Sequence, residues 1–589
     1  MTAWAGYYLR DPRARRTPGL LEGIRRLVSR RPDDTPNVVQ FDRAALIYVE
    51  SGAFDTSSIF VSPGTGASLV AGEPLLSGST PSSRTADITL LHDAWNREAF
   101  SETARATACF AAVHYNERTQ RLSLIADKLG VRPIYYAVTD DVVYFAGALR
   151  VLEQLEGLRK VVDVLGAVET LSVGHPLADR TPYRDIFAIR DAEIVTFGNR
   201  EIQRTRYWNI ARVAEDRISL PDAAERLHTL LSRAIDRRLG DDRTSVAFLS
   251  GGLDSRCIIA ELVGRGVRLH TFNFADEGTK DQILGDGFAA VVQTVHGRIP
   301  RPPQPIHWSM TMADVWGNSD KRAQMPPERP QLIWSGDGGS VSLGFVGVYP
   351  SVMSLLREGK RDEAIDRYFA ERGISVPVRV FRPTVAQGLR RLVHQSVREA
   401  LDEVHVDDPA RDLWFFRMVH GQRRHMHTLH FEDIDLHRLE FQMPFYDWEL
   451  IEAMAATPLD YAVNHRMYHA ALQFFPASIG KIAWQTYPGH EPCPVPLPPG
   501  AIDQWGAKQK DIARRRRRRR IVGDTTRVLF SRSFPRSVLD RRYLMAVSLA
   551  HWLGMGDYAY AVDYARAFTT MSSVSGGRWE FAPLAPTGV

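Results

Sequence analysis

The sequence predicts an α/β protein in which an antiparallel β region is followed by a doubly wound parallel sheet with helical additions. A chain of 589 residues is too long for one ordinary hydrophobic core, so two or more domains are expected. In the first third of the chain, short alternating runs such as ALIYVE and RLSLIAD are separated by turn residues, which is typical of antiparallel strands. Beyond it, strands alternate with helical periodicities, which favours a parallel sheet.

The change of pattern predicts one domain over residues 1–210 and a second over residues 211–589. Helical spacing begins in LPDAAERLHTLLSRAIDRRLG, which ends at Gly240. The predicted strands TSVAFLS, RLHTFNF and PQLIWSG follow. The stretch from about residue 350 to 475 is mostly helical in pattern, and a last helical stretch is expected around residues 540–570.

Composition excludes several classes of protein. The chain is 44% hydrophobic and 24% charged, as in ordinary globular proteins, and has no apolar run long enough to span a membrane. Its first residues do not have the charge order of a secretory signal. The three cysteines show neither metal-binding nor disulfide spacing. We therefore expect a cytoplasmic protein without a membrane partner.

Seven consecutive arginines, Arg514–Arg520, more than account for the formal net charge of +5. Such a run is consistent with a solvated helix face or a loop, and also with a surface that contacts an acidic peptide or a partner protein. The neighbouring residues lack the interleaved aromatic side chains of a nucleic-acid site, so we expect no nucleic acid partner.

The stretch VAFLSGGLDSRCIIA, residues 246–260, predicts a ligand site at the end of a strand. Glycines allow the backbone to approach a ligand, and the N-terminus of the following helix attracts anions. Asp254 would repel a bare phosphate, but it fits if Mg²⁺ lies between the carboxylate and the phosphate. We therefore predict a pyrophosphate and magnesium site at the mouth of a parallel sheet.

Three motifs resemble signatures of a known family and follow one another along the chain in the same order as in that family. SGGLDS is similar to the signature of the pyrophosphate-loop ATP enzymes, which transfer AMP. WSGDGGS, residues 334–340, and LEFQMPFYD, residues 439–447, resemble the second nucleotide loop and the E-x-R-x-P-F-L-D signature of the asparagine synthetase superfamily. The resemblance covers about residues 215–490 and implies an ATP-dependent, AMP-forming amide ligase that uses Mg²⁺.

The resemblance also implies roles for individual residues. Glu440 would orient or deprotonate the amine, unless it forms a structural salt bridge. Trp484 falls at the position of the family's pocket lysine, and Lys481, one helical turn away, is the candidate substitute. Ser340 replaces a second metal-binding aspartate, which leaves Asp254 and Asp337 as the expected ligands of Mg²⁺. The implied ATP-binding residues are Leu249, Ser250, Gly251, Gly252, Asp254, Ser255, Phe274, Ser335, Gly336 and Asp337.

The first domain resembles the glutaminase domain of the same family, which implies an antiparallel sandwich of the N-terminal-nucleophile type. LSLIADKLGVRPIYYAV, residues 122–138, carries this likeness. Active glutaminases begin with a cysteine whose thiol is the nucleophile, but here AGYY aligns with CGIY and places Ala5 at that position. Thr2 is an alternative nucleophile, three residues out of register. We expect a degenerate domain that releases no ammonia.

Two branches of the superfamily lack the cysteine. The chain most resembles lasso peptide cyclases, which join an Asp or Glu side chain of a leader-free precursor peptide to the N-terminal amine of that peptide. The β-lactam synthetase branch is second, because SGDGGS lacks the tyrosine of that branch. A non-catalytic scaffold is a third reading. The first reading implies a precursor peptide substrate, a leader-recognition protein and a leader peptidase as partners.

Overall fold

The N-terminal part of the computed structural model is an antiparallel β-sandwich. The structure describes residues 2–11, 19–77, 83–299, 312, 315–343, 346–421, 423, 426–427, 431–432, 438–502 and 523–581. The predicted role of Arg514–Arg520 lies outside the described residues. The strands of this part are β1 (Ala3–Leu9), β2 (Asn37–Gln40), β3 (Ala44–Val49), β4 (Ile59–Ser62), β5 (Gly66–Gly72), β6 (Phe110–Asn116), β7 (Arg121–Ala126), β8 (Tyr135–Val138), β9 (Val142–Ala146), β10 (Val162–Asp163), β11 (Ile186–Ala188), β12 (Glu193–Phe197) and β13 (Ile202–Arg206).

Two six-stranded sheets form the sandwich, in the orders β11-β8-β9-β1-β3-β2 and β13-β12-β7-β6-β5-β4. Neighbouring strands within each sheet pair antiparallel. Alternate side chains of both sheets meet in one apolar layer that includes Tyr8, Leu46, Val113 and Phe145. The apolar side chains that recur at every second position of these strands therefore point into the layer between the sheets.

The second sheet system is parallel and five-stranded. Its strands are β14 (Thr244–Phe248), β15 (Arg268–Asn273), β16 (Val295–Arg298), β17 (Leu332–Trp334) and β18 (Glu440–Gln442), in the order β16-β15-β14-β17-β18. The central strand β14 is almost wholly buried, as expected when helices cover both faces of a sheet. The predicted fold class, antiparallel sandwich followed by parallel α/β, is confirmed.

Helices are placed as the apolar spacing predicted. Helix Leu220–Leu239 begins after Ser219, whose hydroxyl accepts a hydrogen bond from the Asp222 amide, and ends at Gly240 with φ of 56°. No described helix is both long and apolar enough to cross a membrane. The other α-helices are Leu20–Val28, Arg84–Asn96, Leu149–Gln154, Val164–Ser172, Leu253–Gly264, Lys280–Val292, Asp320–Gln324, Gly339–Ser342, Pro350–Arg357, Arg361–Arg372, Pro383–Ala386, Leu389–Asp402, Pro409–Phe416, Trp448–Ala455, Leu459–Ala462, Arg466–Ala471, Arg541–Leu553 and Ala559–Ser575.

The chain returns to its first domain at the C-terminal end. The short strand β19 (Trp579–Glu580) pairs in parallel with β10, a contact that the sequence pattern does not predict.

Between the two sheet systems, Nη2 of Arg132 donates to Oε1 of Glu440 at 2.5 Å, and both side chains are buried. The charge of Arg132 holds the pKa of the Glu440 carboxyl below its usual value, although burial opposes this.

Replacing Arg132 with methionine is expected to lower the melting temperature by several degrees, because a buried carboxylate without its partner costs about 3–5 kcal/mol. Adding Glu440→Gln in the same chain should recover much of the loss, since it removes the unpaired charge. Arg105→Met is the matched control, because the Arg105–Glu102 pair lies at the surface. Scanning calorimetry of the four proteins would contradict the structure if Arg132→Met and Arg105→Met behaved alike.

Candidate functional site

The candidate site lies where β14 ends and the helix Leu253–Gly264 begins. The turn between them folds back on itself, because the Ser250 amide and the Ser250 hydroxyl both lie 3.0 Å from Oγ of Ser255. The Gly251 amide donates to Oδ1 of Asp281 at 2.7 Å, which ties the turn to the next helix. The turn thus sits at the C-terminal edge of a parallel sheet with a helix N-terminus beside it, a position that favours anions.

Three glycines allow the loops of the site to approach one another. A Cβ on Gly251 would lie 2.8 Å from the Asp281 Cα, and a Cβ on Gly336 would lie 2.5 Å from the Ser255 amide nitrogen. A Cβ on Gly339 would lie 2.4 Å from the Asp254 side chain. The loop at residues 335–340 therefore packs directly against the first turn of the helix that follows SGGLDS, and only glycine fits at these contacts.

Asp254 is the carboxylate at the centre of this contact. Its Oδ2 accepts from the Ser340 amide and its Oδ1 from the Ser340 hydroxyl, both at 3.0 Å. Burial raises the pKa of Asp254 to about 6, against the hydrogen bonds from Ser340, and the nearby charge of Asp337 raises it further. A carboxylate that is costly to ionise and that lies beside a second carboxylate favours the approach of a cation.

The residues present fit a magnesium ion. Carboxylate and hydroxyl oxygens are the ligands that Mg²⁺ takes in proteins, usually one or two carboxylates together with phosphates of a substrate. Asp254 and Asp337 supply two carboxylates, and Oδ2 of Asp337 already accepts from the Ser335 hydroxyl at 2.7 Å, which fixes its orientation. Each carboxylate oxygen has two lone pairs, so these hydrogen bonds leave capacity for a metal.

A cavity of about 640 Å³ opens above the turn. This volume is in the range of small-molecule and cofactor sites. Its far wall is the segment of residues 484–491, which is tied to the turn by a hydrogen bond from the Gln485 amide to the Gly251 carbonyl. The lining residues are Ser250, Gly252, Leu253, Asp254, Lys280, Asp281, Ser340, His465, His469, Trp484, Gln485, Thr486, Tyr487, Pro488, His490 and Glu491.

The implied ATP-binding residues separate into three groups. Ser250, Gly252 and Asp254 line the cavity. Three more residues do not line the cavity. Leu249 and Ser255 are buried. The Phe274 ring packs edge-on against Phe248, with 5.1 Å between the ring centres. The remaining members, Gly251, Ser335, Gly336 and Asp337, belong to the two loops whose contacts are described above.

The two residues that the resemblance named as catalytic do not line this cavity. Glu440 forms the buried pair with Arg132, which corresponds to the structural salt bridge considered as its alternative role. Lys481 ends a short helical turn and is exposed. Arg256 donates hydrogen bonds to the carbonyl groups of Ile479 and Ile482, on either side of this lysine.

Sequence reasoning missed several residues of the site. Lys280, at the start of the helix after β15, is a cation that lines the cavity, whereas Lys481 does not. Nε2 of His465 lies 3.1 Å from the Ser340 hydroxyl, and burial lowers the pKa of His465 to about 3, so this histidine is neutral. The available signal for Lys280 and Asp281 was their position just after a predicted strand of the parallel sheet.

The N-terminal residues occupy strand and core positions. Ala5 lies inside β1, paired with Ile47 and Ala146, so it offers neither a thiol nor a terminal amine. Thr2 is buried, and its hydroxyl lies 2.9 Å from the hydroxyl of Ser58. Ser58 in turn donates to Glu50 and accepts from Arg84, so side chains of this chain fill the neighbourhood of Thr2.

Two family models match the chain. Residues 77–208 match a glutamine amidotransferase domain, and residues 226–303 match asparagine synthase. The second match contains the turn at Ser250–Ser255 and the residues Lys280 and Asp281. The two models thus match parts of the two regions in which the motifs resemble the asparagine synthetase superfamily.

Two asparagine synthetases are similar in sequence to parts of this chain. The glutamine-hydrolyzing asparagine synthetase 3 of Bacillus subtilis is 30% identical over 173 residues, which is 28% of each chain. A protein of Methanocaldococcus jannaschii, named as a candidate glutamine-hydrolyzing asparagine synthetase, is 25% identical over 197 residues. That match spans 32% of this chain and 38% of the relative. The chain thus matches well under half the length of these relatives.

Among solved structures, the glutamine phosphoribosylpyrophosphate amidotransferase of B. subtilis is similar at 11% identity with a TM-score of 0.24. That similarity covers 58% of this chain and 77% of the other. A likeness this weak carries no argument about the present site.

Gly336→Ala is expected to displace the second loop from Ser255, because the added Cβ would lie 2.5 Å from a backbone nitrogen. Such overpacking typically costs about 1–3 kcal/mol. We expect ATP binding to weaken at least tenfold in calorimetric titrations. Gly480→Ala is the matched control, since its Cβ would meet no atom within 4 Å. Equal affinities in the two variants would contradict the loop contact.

Binding of ATP with Mg²⁺ is expected to weaken as the pH falls through about 6, because protonation removes the charge of Asp254. In Ser340→Ala, a hydrogen bond to the ionised carboxylate is lost, so the midpoint should move to higher pH. Titrations between about pH 4.5 and 8 measure both midpoints. A midpoint near that of an ordinary aspartate, or a downward shift in Ser340→Ala, would contradict the assignment.

Proposed function

We propose that this chain is an ATP-dependent amide-forming ligase that activates a carboxylate as its adenylate. The observation that carries the proposal is the half-buried Asp254, held between two glycine loops at a helix N-terminus and facing a cavity of about 640 Å³. That arrangement suits a pyrophosphate leaving group accompanied by a divalent cation. The match to asparagine synthase over residues 226–303 supports the same reaction class.

In the proposed reaction, an oxygen of the substrate carboxylate attacks the α-phosphorus of ATP, and pyrophosphate leaves. An amine nitrogen then attacks the acyl carbon, the bond from that carbon to AMP breaks, and the amine loses a proton. The N-terminal end of the helix Leu253–Gly264, whose cap residue Gly252 makes no side-chain cap hydrogen bond, holds the departing phosphates. Asp254 and Asp337 would hold Mg²⁺, which supplies positive charge to the phosphates when bound.

Lys280 is assigned the role that the resemblance gave to Lys481. It lines the same cavity as Ser250 and Asp254, and it stands at the first turn of its helix. An ammonium group there would stabilise negative charge that develops on the phosphates or the acyl oxygen. Trp484, at the family's lysine position, instead contributes a buried apolar wall to the cavity.

The amine comes from the substrate rather than from glutamine. An N-terminal nucleophile needs a side-chain thiol or hydroxyl on a residue with a terminal amine, and Ala5 has neither because it lies within β1. The Thr2 hydroxyl is engaged by Ser58. The first domain then serves as a scaffold, joined to the second through the buried Arg132–Glu440 pair.

The finer proposal is that the substrate is a leader-free precursor peptide and the product a macrolactam. An Asp or Glu side chain of the peptide would be activated, and its own N-terminal amine would close an isopeptide bond. This reading rests on the resemblance of the motifs to lasso peptide cyclases and on the lost nucleophile. A leader-recognition protein and a leader peptidase are the partners that it implies.

The test incubates the protein with ATP, Mg²⁺ and a leader-free peptide that carries one acidic residue at ring-forming distance from its N-terminus. Mass spectrometry is expected to show loss of one water from the peptide, with AMP and pyrophosphate formed in equal amounts. Formation of ADP would overturn the proposed chemistry. AMP formation with a small amino acid derivative, but with no peptide, would instead support a β-lactam-type synthetase, and ATP binding without turnover of any substrate would support a scaffold.

Lys280→Met is expected to lower kcat/KM by about a hundredfold or more, because removal of one charge-stabilising group in an enclosed site has effects of that size. Lys481→Met is the matched control and should retain nearly full activity, since Lys481 is exposed and outside the cavity. Pyrophosphate release measures both. The reverse pattern, with Lys481→Met impaired and Lys280→Met active, would return the role to Lys481.

A further inference from the structure

The proposed reaction needs a group that accepts a proton from the attacking amine. The resemblance gave that role to Glu440, but the Glu440 carboxylate is held in the buried pair with Arg132 and does not line the cavity. Histidine is the side chain that most often accepts protons in catalysis, because its neutral ring carries a basic lone pair. The histidines among the residues that line the cavity are His465, His469 and His490.

One of these histidines is connected to the metal-binding carboxylate by a series of hydrogen bonds. The Ser340 hydroxyl donates to Oδ1 of Asp254 at 3.0 Å. Nε2 of His465 lies 3.1 Å from that hydroxyl oxygen, and Nδ1 of His465 lies 2.6 Å from Nδ1 of His490. We call these four side chains, from Asp254 to His490, the relay.

The first member of the relay fixes the position of each proton along it. An ionised carboxylate only accepts hydrogen bonds, so the one hydroxyl proton of Ser340 points to Asp254. The Ser340 oxygen then accepts from His465, which places a hydrogen on Nε2 of that ring. Burial lowers the pKa of His465 to about 3, so the ring is neutral and its Nδ1 is an acceptor.

His490 must therefore donate from its Nδ1 to His465. Burial lowers the pKa of His490 below its usual value, and the charge of the neighbouring His469 lowers it further, so the ring is neutral near pH 7. A neutral ring with its hydrogen on Nδ1 has a lone pair on Nε2. The relay thus leaves the basic nitrogen of His490 for the cavity.

The backbone and the rings around His465 hold the relay in one arrangement. Asn464 and His465 have φ of 56° and 67°, a left-handed conformation that is uncommon for residues other than glycine. The Tyr487 ring stacks on His465 with 5.9 Å between the ring centres and 8° between the planes. The Glu491 amide donates to the Asn464 carbonyl, which ties the segment of His490 to the same turn. Backbone strain that the surrounding contacts maintain is concentrated at functional sites.

We infer that Nε2 of His490 is the general base of amide formation, a role that rests on the proposed function. The amine nitrogen attacks the acyl carbon with its lone pair, and its proton passes to Nε2 of His490. The bond from the acyl carbon to AMP breaks, and AMP leaves with that electron pair. Because His490 is only half-buried, the imidazolium returns the proton to solvent. His465 and Ser340 are positioning residues, since they act through His490.

The other lining groups suit this role less well. Asp254 is assigned to the metal, and Asp281 accepts a hydrogen bond from an amide of the turn. Glu491 is exposed to solvent and lies outside the relay. The His469 ring packs edge-on against Trp484, and among the described residues no hydrogen bond fixes its tautomer.

The test separates the two steps of the reaction. Exchange of labelled pyrophosphate into ATP reports adenylate formation, and it is measured with Mg²⁺ and a leader-free peptide whose N-terminal amine is acetylated. Amide formation is measured as loss of water from the same peptide with its amine unblocked. His490→Ala should retain exchange, because adenylation removes no proton, but it should form amide more slowly by about a hundredfold or more. Retained exchange also establishes that the variant folds.

Three further measurements distinguish a base from a structural side chain. His490→Asn keeps an N–H donor for His465 but has no basic nitrogen, so it should form amide as slowly as His490→Ala. Added imidazole should restore part of the amide formation in His490→Ala, because it supplies a base. In nitrogen NMR spectra of the histidine-labelled wild-type chain at neutral pH, the signals that are absent in His490→Asn should show a hydrogen on Nδ1 and a lone pair on Nε2.

His394→Ala is the matched control and should retain both steps, because His394 is also half-buried but lies outside the cavity. Normal amide formation by His490→Asn would overturn the inference, as would a hydrogen on Nε2 of His490. A larger loss of amide formation in His469→Ala than in His490→Ala would give the role to His469. Absence of exchange in the wild-type chain would refute the proposed reaction itself, so the two failures are distinguishable.

Discussion

The site depends on one half-buried carboxylate that faces the cavity. Asp254 occupies the first turn of a helix at the edge of the parallel sheet, with glycines so close that no side chain could stand in their place. Ser340 compensates part of the cost of burial through two hydrogen bonds, yet the pKa of Asp254 stays raised to about 6. In the proposed function, a cation that accompanies the phosphates would stabilise the ionised form of Asp254, which would couple the conformation of the two loops to nucleotide binding.

A buried ion pair also connects the two sheet systems. Arg132 comes from the first domain and Glu440 from the last strand of the parallel sheet, so the sandwich contributes a charge partner to the synthetase-like sheet. Loss of either partner would leave a buried charge uncompensated, so the sandwich has a structural role beside the parallel sheet. Its strand β1, which carries Ala5 in its middle, is a core element rather than an active-site terminus.

Much of the fold and the nucleotide turn could be predicted from the sequence, since alternation, helical spacing and SGGLDS are local signals. Ser250, Gly252 and Asp254 line one cavity because a single short motif holds them together. Lys280 and His465 were not found, because they reach the cavity through the parallel crossovers and through a segment two hundred residues away. Lys481 lies outside the wall of this cavity, next to backbone carbonyl groups that Arg256 binds, and a linear register cannot show this contact.

The most direct test of the central claim is a crystal structure of the full chain with a non-hydrolysable ATP analogue and Mg²⁺. The account predicts the β- and γ-phosphates at the N-terminal end of the helix Leu253–Gly264, the metal on the Asp254 carboxylate, and the α-phosphate open to the cavity bounded by Lys280 and Trp484. A nucleotide bound elsewhere, or phosphates held without any metal contact to Asp254, would contradict it.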